Sequence, residues 1–193
     1  MNYLAHLYFA KPNKYSLAGN LMGDFTKGVD LSLLPESVLN GIHNHRVIDK
    51  YTDNHQSVRA LKTLLTAERK RFSAVISDVV FDHFLARHWD KFSQQSFAQF
   101  RQSSYQQLSL VTNIMPERMR FTVEKMIAQD WLRSYQNINH TGKAIDSISR
   151  RIRFENNLSG AIDEVKMHYG EYESAFLEFF PQLQSYMLSN SKE

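Results

Sequence analysis

The sequence predicts an all-α fold, a single-domain helical bundle of six to eight helices that covers residues 1–193. The first reason is composition, because the chain has only seven glycines and four prolines, and a β-sandwich or β-barrel needs more of both at its many turns. The second is spacing, since apolar residues recur at steps of three and four along most of the chain, as they do on one face of a helix. The length is also typical of one domain with one hydrophobic core.

Turn-forming residues divide the helical pattern into segments. Proline, glycine and polar clusters interrupt helices, and they predict breaks at Pro12, at residues 28–35, at 113–116, at 137–142 and at Pro181. Between these breaks the sequence contains no internal repeat and no linker long enough to separate two domains. The helices are therefore expected to pack in one bundle.

Two short segments near the start of the chain carry polar residues on faces that are otherwise apolar. His6 lies about one helical turn after Tyr3, and Asp24 continues a face whose earlier members are leucines. Gly19 and Gly23 are four residues apart, a spacing that lets a neighbouring helix approach closely because neither residue has a Cβ. We therefore expect His6 and Asp24 to point towards the interior.

The helix that follows Pro35 changes character along its inward face. Proline is favoured in the first turn of a helix, and the residues that then share one face are Val38, Ile42, His45, Asp49 and Thr52. Burying a carboxylate without a partner costs several kcal/mol, so the polar half of this face indicates a cation, a metal ion or an internal cavity. His43 and Arg46 lie on a different face, where they could orient a ligand or contact an anionic substrate.

The segment SAVISDVVFDHFLARHW shows the same change. One face of its predicted helix carries Val75, Val79, Asp82, Ala86 and Trp89. Asp78 lies one turn before Asp82, and His83 is the next residue in the chain. A carboxylate again occupies a position where an apolar residue would pack, which indicates that this helix also faces a polar site.

Four apolar stripes predict further helices. Their members are Val58, Leu61, Leu65 and Phe72; Met119, Val123, Met126 and Trp131; Ile145, Ile148, Ile152 and Leu158; and Val165, Tyr169, Tyr172, Phe176, Phe179 and Leu183. The last stripe alternates steps of four and three, so it predicts one long helix. We interpret most aromatic residues and methionines in the second half of the chain as core residues.

Histidine and aspartate are concentrated in the first 88 residues, which carry six of the eight histidines and six of the ten aspartates. Four helical segments thus direct such residues towards one interior. A site of carboxylates and imidazoles without sulfur favours Mn²⁺, Mg²⁺ or Fe²⁺ over Zn²⁺, and an ion with open positions activates water for hydrolysis. Spacing alone leaves open which of the histidines are ligands.

Several classes of protein are excluded by what the chain lacks. It has no cysteine, which removes disulfides, thiolate metal sites and thiol nucleophiles. It has no G-x-S-x-G elbow, no P-loop and no G-x-G-x-x-G turn, which argues against acyl-enzyme hydrolases, P-loop enzymes and dinucleotide oxidoreductases. Nothing resembles a signal peptide, and no apolar stretch is long enough for a membrane span, so we expect a cytoplasmic protein without membrane contact.

Four motifs, in order, resemble the acyl carrier protein phosphodiesterase family: MNYLAHLYFA, LAGNLMGDFTKG, GIHNHRVIDKYTDNH and DVVFDHFLARHW. They cover most of residues 1–89. This family removes 4'-phosphopantetheine from the serine of holo acyl carrier protein. The resemblance implies an HD-domain-like fold, as in a divergent branch of the HD phosphatases and phosphodiesterases, and dependence on a divalent metal, usually Mn²⁺. The chain departs from the usual HD pattern because its adjacent pair, Asp82-His83, is reversed.

With this resemblance, the residues expected to bind the metal are Asp24, His45, Asp49, Asp82 and His83. Those expected in the catalytic machinery or around the ligands are His6, Asp78, His43 and Arg46. A metal-activated water would attack the phosphodiester, a histidine would neutralise the leaving serine oxygen, and Arg46 could hold a phosphate oxygen. Replacing Asp49 or Asp82 with alanine should abolish turnover and leave the helical fold intact.

The resemblance also implies a protein partner, holo acyl carrier protein, which is small and acidic. We expect basic residues to contact it, and the two candidate clusters contain Arg69, Lys70 and Arg71, and Arg150, Arg151 and Arg153. No nucleic-acid partner is expected, because the formal net charge is only +3 and the basic residues are dispersed.

Two alternative functions stay open from the sequence. One is an HD-type phosphohydrolase that acts on a nucleotide with the same metal chemistry. The other is a non-catalytic helical metal-binding module, in which the histidines and aspartates form a structural site. The substrate separates the first from the carrier-protein enzyme, and the response of the fold to a chelator separates the second.

Overall fold

The computed structural model describes all residues, Met1–Glu193, and contains twelve α-helices, five short 3₁₀ turns and no strand. The predicted all-α class is confirmed. The helices of the first half are α1 (Tyr3–Phe9), α2 (Lys14–Met22), α3 (Glu36–Asn54), α4 (Gln56–Ala60), α5 (Ser73–Arg87) and α6 (Trp89–Phe92). Those of the second half are α7 (Phe97–Ser109), α8 (Glu117–Ala128), α9 (Trp131–Ser134), α10 (Ile138–Arg151), α11 (Ala161–Met167) and α12 (Tyr169–Asn190).

The number of helices exceeds the expected six to eight because several predicted helices are broken into short pieces. The stripe from Val58 to Phe72 illustrates this, since its four members are all buried but do not share one helix. Val58 lies on α4, Leu61 and Phe72 lie on two 3₁₀ turns, and Leu65 directly follows the first of these turns. The prediction that these residues are buried is therefore confirmed, whereas the prediction of one continuous helix is wrong. A 3₁₀ turn changes the helical phase, and the apolar residues still reach the core.

Helix α5 is the central helix of the protein. Ten of its residues are buried, including Ile76 near its start and Ala86 near its end. A helix that is buried on all sides has no solvent-facing stripe, so the polar residues on α5 must find partners inside the protein. The 44 buried apolar residues around it form one continuous cluster.

Helices α2 and α3 approach each other closely at two glycines. A Cβ at Gly19 would lie 2.3 Å from the carbonyl oxygen of Val38, and a Cβ at Gly41 would lie 2.8 Å from the backbone nitrogen of Asn20. Neither distance is tolerated by a side chain, so the two backbones are in direct contact. The close approach expected at Gly19 is confirmed, and it brings the end of α2 beside the polar half of α3.

Of two predicted breaks in the second half, the one at 137–142 is correct only at Asn137, between α9 and α10, and the one at Pro181 is wrong. Asn137 caps α10 by accepting hydrogen bonds from the backbone N–H groups of Asn139 and His140, so the polar run 137–142 begins a helix. Pro181 lies inside α12, which continues because the buried Phe179 and Leu183 on either side hold it against the core.

The last apolar stripe is divided between two helices. Val165 lies on α11 and the remaining members lie on α12, with the change of direction at His168. The stripe is still inward, since all its members except the half-buried Tyr169 are buried. None of the helices combines the length and the apolar content that crossing a lipid bilayer requires.

Candidate functional site

Four predicted polar residues meet where α1, α2 and α3 converge. The Nε2 atom of His45 lies 3.1 Å from Oδ2 of Asp49 and 3.5 Å from Oδ1 of Asp24, and Nε2 of His6 lies 3.2 Å from Oδ1 of Asp49. The two imidazole rings stack, with their centroids 3.8 Å apart. His6, His45 and Asp49 each offer a ligand atom within 4.8 Å of the other two. We call His6, Asp24, His45 and Asp49 the histidine–aspartate cluster.

The local sequence explains how these side chains come together. His45 and Asp49 are one turn apart on α3, so their side chains lie on one face. Asp24 follows Gly23 in the 3₁₀ turn that continues α2. A Cβ at Gly23 would lie 2.2 Å from the His45 ring, so the ring packs directly against the glycine backbone and any larger residue would displace it.

The orientation of His45 is set by the backbone of α2. Its Nδ1 atom lies 2.7 Å from the carbonyl oxygen of Asn20, so the Nδ1–H group donates to that oxygen. The Nε2 atom is then the one that faces Asp24 and Asp49. A backbone carbonyl that orients an imidazole in this way is typical of metal-binding histidines. Sequence patterns could not reveal this contact, because every residue has a carbonyl.

The two histidines of the cluster differ in charge. Burial alone would lower the pKa of His45, but the hydrogen bonds and negative charges of Asp24 and Asp49 outweigh burial and raise the pKa to about 9. Burial, and then the positive charge of His45, lower the pKa of His6 to about 4. At neutral pH the structure therefore holds a neutral His6 beside a protonated His45.

Asp78 lies beside the cluster and binds the amino terminus. The α-amino group of Met1 donates to Oδ1 of Asp78 at 2.6 Å and lies 3.4 Å from Oδ1 of Asp49. Burial raises the pKa of Asp78 to about 6 against the lowering effect of this ammonium group. The ammonium thus provides positive charge next to Asp49, and Asp78 contacts neither histidine of the cluster.

Asp82 binds backbone groups at the start of α1 and does not contact the histidines of the cluster. Its Oδ2 accepts a hydrogen bond from the N–H of Leu4 at 2.7 Å, and its Oδ1 accepts one from the N–H of Ala5 at 3.1 Å. These N–H groups belong to the first turn of α1, where no helical partner exists. The side chain is fully buried. Asp82 therefore caps α1 and lies outside the histidine–aspartate cluster, so its role as a metal ligand stays a prediction.

His83 also lies outside the cluster. Its Nδ1 is 2.6 Å from the carbonyl oxygen of Tyr135, and its Nε2 is 2.8 Å from the hydroxyl of Tyr169. Both ring nitrogens are thus bound to other parts of the protein, since α5 turns this neighbour of Asp82 towards α9 and α12. The structure thus does not bring His83 to the cluster, and its role as a ligand stays a prediction.

His43 and Arg46 lie on another side of α3, as their spacing predicted. His43 is half-buried and Arg46 is exposed, and neither forms a hydrogen bond or ion pair with the cluster. Burial lowers the pKa of His43, and the positive charges of Lys192 and Arg46 lower it further. The rotation of α3 that directs His45 inward turns these two residues away, so neither contacts the cluster.

The first basic cluster is largely occupied by contacts within the protein. Arg69 donates to Oε1 of Glu164 at 2.5 Å and to the carbonyl oxygens of Asn157 and Ser159. It fastens the loop before α11, so its donors are already used within the protein and its role in partner binding stays a prediction. Arg71 donates to the carbonyl oxygen of Glu155, and Lys70 is exposed.

The second basic cluster is exposed. Arg150 donates to the Ser147 hydroxyl, Arg153 is exposed, and Arg151 lines a large cleft. These three residues therefore differ in their surroundings, and only Arg151 lines this cleft.

The cleft has a volume of about 1020 Å³ and runs from Asp24 along α8, α9 and α10. Its aromatic lining residues include Tyr3, Phe25, Phe121 and Trp131, and its basic ones are Arg118, Lys125, Lys143, Arg151 and His140. The sequence analysis missed Arg118, Lys125 and Lys143. On α8, the cleft-lining positions 118, 121, 122, 125 and 129 lie on one face of the helix. That face is not apolar, so a search for apolar stripes does not find it.

Gly23→Ala is expected to displace the His45 ring, because the new Cβ would overlap the Cγ and Cδ2 atoms of the ring. On the expectation from the sequence that the cluster binds Mn²⁺, the affinity for this ion should fall at least about tenfold, while the free energy of unfolding changes by about 1 kcal/mol. Isothermal titration calorimetry and urea unfolding measure the two quantities. Gly170→Ala is the matched control, since a Cβ there meets no atom within 4 Å. Wild-type affinity in Gly23→Ala would contradict the packing argument.

A family model and curated relatives of this chain point to the same family. The model of a family described as acyl carrier protein phosphodiesterase matches residues 1–183. Curated proteins named acyl carrier protein phosphodiesterase are similar over 185 residues, 95% of both chains: 35% identical in Serratia proteamaculans (strain 568), 32% in Enterobacter sp. (strain 638) and 32% in Escherichia coli O6:H1. No solved structure gives a significant match.

Proposed function

The chain belongs to the acyl carrier protein phosphodiesterase family, and on that premise we propose that it hydrolyses the phosphodiester between 4'-phosphopantetheine and a serine of holo acyl carrier protein. The products are apo acyl carrier protein and 4'-phosphopantetheine. The observation that carries the proposal is the histidine–aspartate cluster, whose exposed member, Asp24, lines the large cleft. A substrate in the cleft can therefore reach the cluster.

The cluster fits a divalent metal ion. His6, His45 and Asp49 would hold it, since each offers one ligand atom within 4.8 Å of the other two. A donor set of nitrogen and oxygen without sulfur suits Mn²⁺, with Mg²⁺ and Fe²⁺ as alternatives. When bound, such an ion lowers the pKa of water and neutralises charge on phosphoryl oxygens.

The residues of the cluster have separate roles in this proposal. Asp49, His45 and neutral His6 hold the ion, with His45 oriented by the Asn20 carbonyl. Asp24 is about half exposed. Although burial would raise the pKa of Asp24, the hydrogen bond and charge of His45 lower it. Asp24 is therefore a carboxylate at neutral pH that can orient a water molecule and accept its proton.

Metal binding is expected to release about one proton per protein molecule near pH 7, because the ion must displace the proton that His45 holds with a pKa of about 9. Affinity for Mn²⁺ should therefore rise with pH, by up to about tenfold per pH unit below this value. Titration calorimetry in buffers of different ionisation enthalpy counts the protons. His43→Ala should release the same number, and a binding enthalpy that is independent of the buffer would contradict the prediction.

The proposed reaction is tested by incubating the protein with Mn²⁺ and holo acyl carrier protein and weighing the carrier protein by mass spectrometry. The expected result is conversion to the apo form, with free 4'-phosphopantetheine in solution. A parallel incubation with a panel of nucleotides tests the alternative function, hydrolysis of a nucleotide by the same metal chemistry. Hydrolysis of a nucleotide with intact holo carrier protein would overturn the proposal.

A chelator distinguishes the enzyme from a structural metal-binding module. The cluster lies at the edge of a core that is otherwise apolar, so removal of the ion should abolish the release of phosphopantetheine and leave the helical circular dichroism spectrum unchanged. A closed structural site loses its fold together with its metal. Cooperative unfolding on chelation at room temperature would therefore favour the module.

A further inference from the structure

The cleft beside the histidine–aspartate cluster carries a concentration of unpaired positive charge. Arg118, Lys125, Lys143 and Arg151 line it, and Asp24 is the only carboxylate among its lining residues. None of the four basic side chains forms an ion pair, whereas Arg69 and Arg101 elsewhere pair with Glu164 and Asp130. We call these four residues the basic lining.

Two of the basic side chains lie against aromatic rings that help to form the cleft. The Nζ of Lys125 lies 4.3 Å from the centroid of the Phe121 ring, and the guanidinium carbon of Arg118 lies 5.8 Å from the centroid of Phe25. A ring attracts a cation without neutralising it. These contacts therefore hold the charges over the cleft and leave them available to an anion.

The position of Asp24 connects the basic lining to the proposed chemistry. Asp24 lines the cleft and lies 3.5 Å from Nε2 of His45. An anionic molecule bound along the cleft therefore ends at the histidine–aspartate cluster. Through Asp24 alone, the cleft and the cluster can act on the same substrate molecule.

The cleft holds more positive charge than the phosphodiester alone requires. One phosphodiester carries one negative charge, and the basic lining supplies four positive charges. The volume of about 1020 Å³ is at the upper end of the range for small-molecule sites, about 300–1,000 Å³. The additional anions must come from the partner that carries the phosphodiester, and complementary charge of this kind steers and orients protein partners.

We propose that the cleft is the docking site for the acidic surface of the carrier protein, with carboxylates beside the modified serine contacting Arg118, Lys125, Lys143 and Arg151. This inference rests on the proposed function, since it takes the carrier protein as substrate. Of the six basic residues expected from the sequence to bind the partner, only Arg151 takes part.

The test is a pair of double charge reversals. Lys125→Glu with Lys143→Glu changes the basic lining, and Lys62→Glu with Lys91→Glu changes two exposed lysines outside it that have no ion pair. The cleft variant should raise KM for holo carrier protein at least about tenfold, with a much smaller change in kcat, and should weaken the salt dependence of KM. The control should keep the KM of the wild type. Equal KM values in the two variants would overturn the inference.

A binding measurement separates this inference from the proposed reaction. Apo carrier protein carries no scissile group, so its affinity, measured by fluorescence anisotropy, is independent of catalysis. We expect wild-type protein and the control variant to bind it and the cleft variant to lose at least about tenfold in affinity. Such cleft-dependent binding supports the docking site even if no phosphopantetheine is released, a result that would overturn the reaction alone. Equal binding by both variants would overturn the docking site.

Discussion

Asp49→Asn is expected to reduce kcat/KM for holo acyl carrier protein by at least about a thousandfold, or about 4 kcal/mol. The two carboxylate oxygens of Asp49 face different histidines, Oδ1 towards His6 and Oδ2 towards His45. An amide group replaces one of these oxygens with an NH₂ that cannot bind a cation. On the proposed function, the variant should therefore lose affinity for the divalent ion as well as activity.

The same substitution should change the free energy of unfolding by less than about 2 kcal/mol, because the Asp49 side chain is more than a third exposed and asparagine has nearly its shape. Asp53→Asn is the matched control, since Asp53 lies one turn further along α3, is exposed and forms no ion pair. Steady-state kinetics and urea unfolding compare the two variants. Activity in Asp49→Asn close to that of Asp53→Asn would remove the cluster from the mechanism.

Asp82→Ala is expected to destabilise the protein by about 3–5 kcal/mol, because it leaves two buried N–H groups of α1 without an acceptor. Leu4 and Ala5 donate both of these hydrogen bonds to Asp82, and the same short helix carries His6. Loss of activity should then follow from loss of the fold. This replaces the expectation that the alanine variant folds normally.

Two further variants make the effect of Asp82 measurable by urea unfolding. Asp82→Asn keeps one acceptor oxygen and should lose much less stability than Asp82→Ala. Asp90→Ala removes an exposed aspartate at the start of α6 and should change the free energy of unfolding by less than about 0.5 kcal/mol. An Asp82→Ala protein with wild-type stability and no metal binding would support Asp82 as a ligand.

Helical spacing predicted the inward faces well. On α3, Val38, Ile42, His45 and Thr52 are buried and Asp49 is half-buried, as the stripe indicated. On α5, Asp82 is fully buried, also as expected. The number of helices was less predictable, because a residue such as Leu61 can reach the core from a 3₁₀ turn as well as from an α-helix.

The candidate site could be predicted only in part from the sequence. His45 and Asp49 share a helix, so their proximity follows from the helical period alone. His83 follows Asp82 in the chain and is directed towards Tyr169, which no spacing rule could exclude. Three of the four residues of the basic lining, Arg118, Lys125 and Lys143, were missed because they come from α8 and α10, whose apolar faces were the features that spacing made visible.

The amino-acid sequence by itself determined the all-α class, the family and the inward direction of His6, His45 and Asp49, because period and motif are local properties of the chain. Asp24 was also expected to point inward, but its side chain is 54% exposed and lines the cleft. Only the tertiary structure decided which inward residues meet. His6 reaches Asp49 across 43 positions of sequence, and Asp82 caps α1 because the packing of three helices places that helix end beside it. The helical period determines the side of a helix on which a residue lies, whereas packing determines what lies opposite.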